Sequence, residues 1–233
     1  FTYAVSDSLG GTASATATIV VSPPPPFSTR LGLTRLNASP PYGGASTLRA
    51  TLATSGVNGR PLAGCVLYFE RLSGSSWSVF ATATTDACGC ATRSVGAMRR
   101  LTYVRVRFTG SSATGARSSS SPAVAIKPHA VVSRPVAADS VPRGQSSRVA
   151  GYLLPTHTGA RGVVYVYAQR RVAGVWTYVG RTAATCSNHA PGHDDYASRI
   201  HFTYPGAWRL RAYHHDADHA PTWSTSYEYL TVR

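Results

Sequence analysis

The amino-acid sequence predicts an all-β protein, and three observations carry this prediction. Ser, Thr, Ala, Gly, Tyr and Val dominate the composition and charged residues make up only 14% of it, which is the residue usage of strands and turns. Apolar and polar residues alternate in short runs separated by turn-forming Gly, Pro and Asn. One stretch of sequence occurs twice, about 100 residues apart, and a period of that length is a whole small domain.

Residues 1–22 predict a β-hairpin, because apolar residues alternate on both sides of a Gly-Gly turn. An isolated hairpin is marginally stable at best in water. We therefore expect this hairpin to come from an incomplete domain, or to complement a neighbouring copy of the chain by strand addition. Its apolar pairing face consists of Phe1, Tyr3, Val5, Ile19 and Val21.

The sequence FTYAVSDSLGGTASATATIVV of this hairpin resembles the last two strands of the cadherin-like and related tandem domains of large bacterial surface proteins. The resemblance implies that residues 1–22 are the terminal strands of such a domain. Members of this group often bind calcium between domains through Asp and Glu side chains. Of these residue types only Asp7 lies in the segment.

Two short segments predict domain boundaries. Four consecutive prolines at 23–26 form an extended, semi-rigid spacer that holds its neighbours apart. A second boundary falls near 127–131, where the end of one repeat copy meets the start of the next. The sequence thus predicts one domain at 27–127 and another at 128–233, with a linker so short that the two form a stiff rod.

Within the first copy, runs of strand-like residues follow one another and are separated by turns. Seven short strands, separated by turns roughly every 8 to 12 residues, predict a two-sheet β-sandwich of the immunoglobulin-like class. The predicted strands lie near 29–36, 46–53, 64–71, 76–84, 90–96, 101–109 and 121–127.

The repeat is clearest at a hairpin that ends on tryptophan, where YFERLSGSSW at 68–77 matches YAQRRVAGVW at 167–176. Further along, VRVRF at 104–108 matches WRLRAY at 208–213. Because the tryptophan of the hairpin recurs at the equivalent position of both copies, a shared packing role is favoured over sugar stacking, which exposed aromatic rings often perform.

The hairpin glycine, the tryptophan strand and the TTDACG sequence at 84–89 resemble bacterial immunoglobulin-like repeats of secreted actinobacterial proteins. In those repeats a Thr-Asp-x-x-Gly turn follows the tryptophan strand. The resemblance covers 27–233, and the second copy lacks the Asp and Gly of that turn. It implies a stalk or adhesion module rather than a reaction.

Four cysteines suggest a disulfide, if the compartment is oxidising. Cys65 begins the strand before the tryptophan hairpin, and Cys88 and Cys90 follow that hairpin. We predict one bridge from Cys65, to Cys90 in preference to Cys88, although sequence does not fix the connectivity. Cys186 in the second copy either bridges to the remaining first-copy cysteine, bridges to another chain, or stays a free thiol.

One group of side chains in the second copy has the composition of a metal site. Imidazoles and carboxylates on two predicted loops could bind zinc, another transition metal, or calcium through the oxygens. A solvated polar loop and a pH-sensitive contact are the alternatives. Strand periodicity places His214 inward and His215 outward. The candidate ligands are His189, His193, Asp194, His214, His215, Asp216, Asp218 and His219.

The charge is strongly positive, with 23 basic and 9 acidic residues and a net charge of +14. Such a charge attracts an anionic cell-surface polymer or glycan, although a GC-rich genome gives the same arginine-rich usage without any ligand. No dense basic run indicates a specific nucleic-acid partner, and no stretch approaches the roughly 20 apolar residues of a membrane span. Common catalytic motifs such as G-x-S-x-G and H-E-x-x-H are absent from the sequence.

These observations predict a non-enzymatic structural or adhesive protein, extracellular or on the cell surface, that acts as a stalk or filament subunit. Its partners would be an upstream domain or neighbouring copies of itself, and no cofactor is needed for this role. The alternative is an accessory carbohydrate- or cell-wall-binding module of a larger secreted enzyme. Aromatic residues exposed on one face would favour the module, and end-to-end polymers would favour the stalk.

Overall fold

The computed structural model describes residues 2–19, 22, 24–157, 159–190 and 192–233. All regular secondary structure in these ranges is β-strand, as the sequence predicts. Within the same ranges no helix is long and apolar enough to cross a membrane. The protein is all-β, and its strands are arranged in sandwich-like sheets.

The N-terminal hairpin consists of β1 (Thr2–Ser6) and β2 (Thr12–Thr16), which pair antiparallel. Its turn depends on Asp7, whose carboxylate accepts hydrogen bonds from the backbone N–H groups of Leu9 and Gly11 at 2.9 and 2.8 Å. The second strand is shorter than the alternation predicts. Thr16, the last residue of β2, already pairs with Thr2, the first residue of β1. The residues after Thr16 therefore lie beyond the start of β1 and have no β1 residue opposite them.

The apolar face predicted for this hairpin is largely open to solvent in the described chain. Tyr3, Val5 and Ile19 are 51%, 61% and 72% exposed, and Ile19 lies beyond the end of β2. Phe1 and Val21, the other two residues of that face, lie outside the described residues.

The first half of the chain forms a two-sheet β-sandwich. Its strands are β3 (Thr29–Arg35), β4 (Thr47–Thr54), β5 (Val66–Ser73), β6 (Ser76–Thr84), β7 (Cys90–Ser94), β8 (Thr102–Phe108), β9 (Ser119–Ser120) and β10 (Val124–Ile126). One sheet has the order β3-β4-β7, and the other has the order β6-β5-β8-β10 with β9 against β8.

The second half repeats this order within one continuous sheet. Its strands are β11 (Val131–Val132), β12 (Ser140–Val141), β13 (Ser146–Leu154), β14 (Arg161–Val172), β15 (Val175–Ala190), β16 (His193–His201), β17 (Gly206–His214), β18 (Thr222–Trp223) and β19 (Glu228–Val232). The path runs β11-β13-β16-β15-β14-β17-β19-β12, with β18 against β17. The long β15 pairs with β14 along its first part and with β16 along its last part, which joins the two faces that are separate sheets in the first half.

The two halves share strand register as well as strand order. Tyr68 on β5 lies opposite Arg107 on β8, and the repeat-equivalent Tyr167 on β14 lies opposite Arg211 on β17. Both copies also have a β-bulge at the same position of the tryptophan hairpin, between Phe69 and Glu70 in the first half and between Ala168 and Gln169 in the second. A repeat recognised in the sequence is therefore also a repeat in hydrogen-bond pairing.

The repeated tryptophans pack on an outer sheet face rather than in a core. Both Trp77 and Trp176 are half-buried. The guanidinium group of Arg105 lies 4.4 Å from the centre of the Trp77 ring, and that of Arg209 lies 4.7 Å from the Trp176 ring. The packing role predicted for these residues is thus a cation–π contact made by the same pair of positions in each half.

Each half has its own hydrophobic core. The first core contains Leu48, Phe69 and Val104, and the second contains Trp208 and Leu210, all of them almost inaccessible to solvent. Alternation along β17 turns its even-numbered residues from 208 to 214 inward, as the sequence predicts. Burying a large apolar side chain contributes about 1.5 to 3 kcal/mol, so each cluster is a large hydrophobic contribution to the stability of its own half.

A few residues connect the two cores. Ile126 belongs to the first core and Ala130 to the second. Between them, the backbone N–H of Lys127 donates to the carbonyl of Ala38 in the first half, and the carbonyl of Pro128 accepts from Ala220 N–H in the second. The connection between the halves is therefore held by hydrogen bonds on both sides. The domain boundary predicted near 127–131 stays a prediction.

Candidate functional site

Three histidines and one aspartate converge at one end of the second half. His214 is the last residue of β17, and Asp216 and His219 lie in the loop that follows it. His157 comes from the loop between β13 and β14. Since the start of β14 pairs with the end of β17, with Val164 opposite His214, the two loops lie side by side. We call these four residues the His–Asp cluster.

Asp216 occupies the centre of the His–Asp cluster. Its Oδ2 atom lies 2.6 Å from Nε2 of His157, 2.9 Å from Nδ1 of His219 and 3.3 Å from Nε2 of His214. One potential ligand atom from each of the four residues lies within 4.8 Å of all the others. The backbone helps to fix this arrangement, because the Oδ1 atom of Asp216 accepts a hydrogen bond from Asp218 N–H at 2.8 Å.

Two of the imidazoles are oriented by backbone carbonyl groups. Nδ1 of His157 lies 2.8 Å from the carbonyl oxygen of Pro155, and Nε2 of His219 lies 2.9 Å from the carbonyl oxygen of Arg99. A carbonyl oxygen only accepts, so each of these ring nitrogens donates. The other nitrogen of each ring therefore faces the carboxylate of Asp216.

His214 is the most deeply buried member of the cluster. It is 0% exposed, and neither of its ring nitrogens has a hydrogen-bond partner. Its Nε2 atom lies 3.3 Å from Asp216 but is not aligned for a hydrogen bond with it. Buried polar groups without partners are costly and uncommon in folded proteins, so this imidazole is the unexplained feature of the site.

The cluster shifts the pKa values of His157, His214 and Asp216. The hydrogen bond that His157 donates to the carboxylate of Asp216 raises the pKa of His157, while burial lowers the pKa of His214. For Asp216, burial by itself would raise the pKa, but the contacts of the three imidazoles together outweigh burial and lower it well below its usual range. Asp216 is therefore an ionised carboxylate, and it accepts hydrogen bonds from His157 and His219.

The structure brings together three of the eight residues predicted as ligands, His214, Asp216 and His219. His215 points away from the cluster and stacks on Tyr213, as the strand alternation predicts, and Asp218 is exposed. The remaining predicted ligands are on the β15–β16 hairpin, where His189 pairs with Asp195 at 2.9 Å and lies beside His193, and Asp194 is buried against the backbone N–H of His157.

His157 was absent from the predicted ligands. The sequence contained a signal for it, because consecutive antiparallel neighbours place the residues before β14 next to those after β17. A histidine in the sequence LPTHTGA, directly before β14, therefore had to lie at the same sheet end as HHDADH at 214–219.

All four cysteines lie in the described part of the chain and are free thiols there. Cys65 directly precedes β5, where its carbonyl accepts from Thr85 N–H and its own N–H donates to the Thr85 hydroxyl, whereas Cys90 pairs with Thr51 on β4 in the other sheet. The bridge from Cys65 is thus not formed in this structure. It stays a prediction, which thiol titration under denaturing, non-reducing conditions decides.

Cys186 lies inside a strand. It is a residue of β15 that pairs with Tyr196 on β16, and it is only 1% exposed. Burial raises its pKa to about 11. A protonated, buried thiol is a poor nucleophile, so this cysteine packs as a small apolar residue.

An outer face of the second half carries aromatic rings interleaved with arginines. The ring of Trp223 lies 4.8 Å from that of Tyr167 and 4.7 Å from that of Tyr213. The Arg211 guanidinium lies 5.3 Å from the Trp223 ring, and that of Arg181 lies 4.5 Å from the Tyr165 ring. Trp223 itself is 41% exposed. We call these six residues the aromatic–arginine face.

Comparison with known proteins gives only structural similarity. No family model and no curated protein matches the chain. A tetra-tandem repeat in the extending region of a large adhesion protein is similar over 98% of this chain and 55% of that one, at 14% identity and a TM-score of 0.42. The Yersinia pseudotuberculosis adhesin InvE is similar over 88% of this chain and 58% of that one, at 16% identity and a TM-score of 0.38. The chain thus spans little more than half of either structure, and neither similarity bears on function.

Proposed function

We propose that this chain is part of a non-enzymatic extracellular or cell-surface protein, in which tandem β-sandwiches act as a structural or adhesive stalk or as a filament subunit. The observation that carries the proposal is the repetition of strand order, register and the Trp–Arg contact in two consecutive halves. A module that is repeated without shared catalytic residues adds length and spacing rather than a second reaction centre.

The connection between the halves supports a stalk. Hydrogen bonds from Lys127 and to Pro128 fix it to the first and second halves respectively. On the second-half side of the junction, Lys127 also donates through its Nζ atom to the carbonyl of Asp216, at 3.0 Å. A connection tied down in this way limits bending between units, which is the mechanical property that a stalk requires.

Small-angle X-ray scattering of the purified chain tests this proposal. The expected result is one elongated particle whose maximum dimension stays constant between low and high salt. The matched variant Lys127→Gly removes the only lysine side chain at the connection and should broaden the distribution of interatomic distances. A wild-type chain as flexible as this variant would contradict the stalk.

The second candidate is an accessory module that binds carbohydrate or cell-wall polymer, and the aromatic–arginine face favours it. Aromatic rings stack on sugar rings, and arginine forms bidentate hydrogen bonds with carboxylates and phosphates. Together with the net charge of +14, this composition favours an anionic polymer over a neutral one.

Affinity electrophoresis in gels containing an acidic polysaccharide, such as polygalacturonate, or a neutral one tests the second candidate. Wild type should be retarded by the acidic polymer, and Trp223→Ala with Tyr167→Ala should remove most of the retardation. Tyr103→Ala, which changes an exposed ring in the first half, is the control. Equal retardation of both variants would assign the effect to net charge alone.

A further inference from the structure

We propose that His157, His214, Asp216 and His219 bind one divalent transition-metal ion, with zinc as the best fit. We further infer that this ion fixes the loop between β17 and β18 against the first half of the chain. None of these four residues belongs to the aromatic–arginine face. The inference shares one contact with the stalk proposal, the hydrogen bond from Lys127 to the carbonyl of Asp216, and its metal-binding test does not depend on the stalk.

The donor atoms select the class of metal. Three imidazole nitrogens and one carboxylate oxygen are all ligand atoms that zinc accepts, and four of them complete a tetrahedral coordination shell. Calcium requires six to eight oxygen ligands, and the cluster supplies oxygens from Asp216 alone. The calcium alternative that the sequence left open is therefore not favoured at this site.

The distances are compatible with such an ion after small movements. Metal–ligand bonds of about 2.0 to 2.2 Å in a tetrahedral site place ligand atoms roughly 3.3 to 3.5 Å apart. In the structure, Asp216 lies 2.6 to 3.3 Å from the three imidazole nitrogens. The rings would have to withdraw from the carboxylate by less than about 1 Å to admit the ion. Ligand atoms as far apart as 4.8 Å would have to approach each other by about 1.5 Å.

His214 supplies a second, independent observation. Its imidazole is wholly buried, neither of its nitrogens has a hydrogen-bond partner, and it faces the cluster from the inward side of β17 with Nε2 3.3 Å from Asp216. The hydrogen bonds among His157, His219 and Asp216 do not include the ring of His214. A metal ion in the centre of the cluster would satisfy its Nε2 atom.

The surroundings match those of metal-bound histidines. Such histidines almost always donate the other ring N–H to a carbonyl or carboxylate, which fixes the tautomer and the ring orientation. Here the carbonyl oxygens of Pro155 and Arg99 accept this hydrogen bond from His157 and His219 respectively. Each ring therefore presents one nitrogen to the cluster and anchors the other in the backbone.

One of these anchors belongs to the other half of the chain. Arg99 lies between β7 and β8, so the contact of His219 with its carbonyl crosses from the second half to the first. The contact of Lys127 with the carbonyl of Asp216 crosses in the same way. A metal that immobilises Asp216 and His219 would thereby stabilise the contact between the halves.

Isothermal titration calorimetry with zinc chloride, on the full chain without a histidine tag and after chelator treatment, tests the site. One equivalent should bind. His157→Gln and His219→Gln should each weaken binding by more than the roughly 10- to 100-fold that loss of an outer-shell partner costs. Cobalt in place of zinc should give the visible absorption of a four-coordinate site. Circular dichroism in chelator verifies that both variants are folded.

The control is the double variant His189→Gln with His193→Gln, which removes a neighbouring histidine pair outside the cluster. It should bind zinc as wild type does. Absence of a stoichiometric site, unchanged affinity of the His157→Gln variant, or loss of binding in the control would overturn the metal site.

Hydrogen exchange measured by mass spectrometry tests the effect on the junction. Zinc should slow exchange in peptides around Arg99 as well as in the loop from 215 to 219, and should do neither in the His157→Gln variant. Stoichiometric zinc binding without a change around Arg99 would leave the site standing and refute its effect on the first half.

Discussion

The two halves of the molecule carry different loops after equivalent strands, β8 in the first half and β17 in the second. After β8, the first half continues with TGSSATGA at 109–116, which closes on itself through a hydrogen bond from Ser111 N–H to the carbonyl of Ala116. After β17, the second half continues with HHDADH and forms the His–Asp cluster. Since the first sandwich is complete with a short hydroxyl-rich loop, the cluster is not required by the fold. It is an addition to one copy, which is why a ligand is its simplest explanation.

A second difference lies under the repeated tryptophans. In the first half, Glu70 accepts hydrogen bonds from Arg105 and Arg107 at 2.7 and 2.8 Å. In the second half the equivalent residue is Gln169, which accepts from Arg209 at 2.6 Å. One copy thus holds its arginine over tryptophan with a buried charge, and the other does so with a neutral amide.

The largest expected effect comes from the cores. Trp208 is 1% exposed, packs edge-on against Phe202 at 5.1 Å, and occupies the register position that Val104 has in the first half. Trp208→Ala should lower the free energy of unfolding of the second half by about 3 to 5 kcal/mol. The first half should be unaffected if each core is a separate unit. Urea unfolding combined with hydrogen exchange of peptides from each half measures both effects.

Trp223→Ala is the matched control, since it removes the same side chain from an exposed position in the same half. It should change the stability by well under half of that amount. If Trp208→Ala destabilised both halves equally, the two halves would unfold as one unit. Their stabilities could then not be compared separately.

The repeat made most of the fold predictable from sequence. The predicted strands at 29–36, 46–53 and 76–84 agree with β3, β4 and β6 to within a residue, because alternating apolar residues and turn residues act locally. The alternation also placed His214 inward and Trp208 in the core. The continuous sheet of the second half was not predictable, because it depends on the residue at which β15 stops pairing with β14 and starts pairing with β16.

The difference between Glu70 and Gln169 predicts a pH effect of intermediate size. Burial alone would raise the pKa of Glu70, but its hydrogen bonds with Arg107 and Arg105 prevail and lower it. Stability from this ionised group is therefore fully present above its ordinary pKa of 4.5 and is lost as the pH falls through the lowered value in the folded protein. At neutral pH, Glu70→Gln should destabilise the first half by about 1 to 3 kcal/mol.

Thermal unfolding between acidic and neutral pH checks this. The difference between wild type and Glu70→Gln should shrink as the pH is lowered below 4.5. The reciprocal change Gln169→Glu should transfer the same pH dependence to the second half, where Arg209 and Arg211 occupy the places of Arg105 and Arg107. A pH-independent difference for Glu70→Gln would mean that its packing, rather than its charge, matters.

The candidate site was only partly predictable, for a physical reason. His214, Asp216 and His219 are close in sequence, so composition alone groups them. His157 joins them only through the pairing of β14 with β17, and the free thiols of Cys65 and Cys90 depend on their assignment to different sheets. Both depend on which strands pair, which local pattern does not give; His157 becomes predictable only once β14 is placed beside β17.

The smallest effect on stability is expected at the N-terminal hairpin, and it separates that segment from both halves. Tyr3, Val5 and Ile19 remain largely exposed, although burying each such side chain would contribute about 1.5 to 3 kcal/mol. We therefore expect this face to be covered by an upstream domain or by a neighbouring copy. Deleting residues 1–22 should leave the melting temperatures of both halves unchanged and abolish any polymer seen by electron microscopy. Leu9→Ser, at the 94% exposed tip of the hairpin turn, should leave assembly intact. A marked drop in the melting temperature of the first half on deletion would instead place the hairpin in the adjoining core, because only a segment that buries apolar surface there can stabilise it.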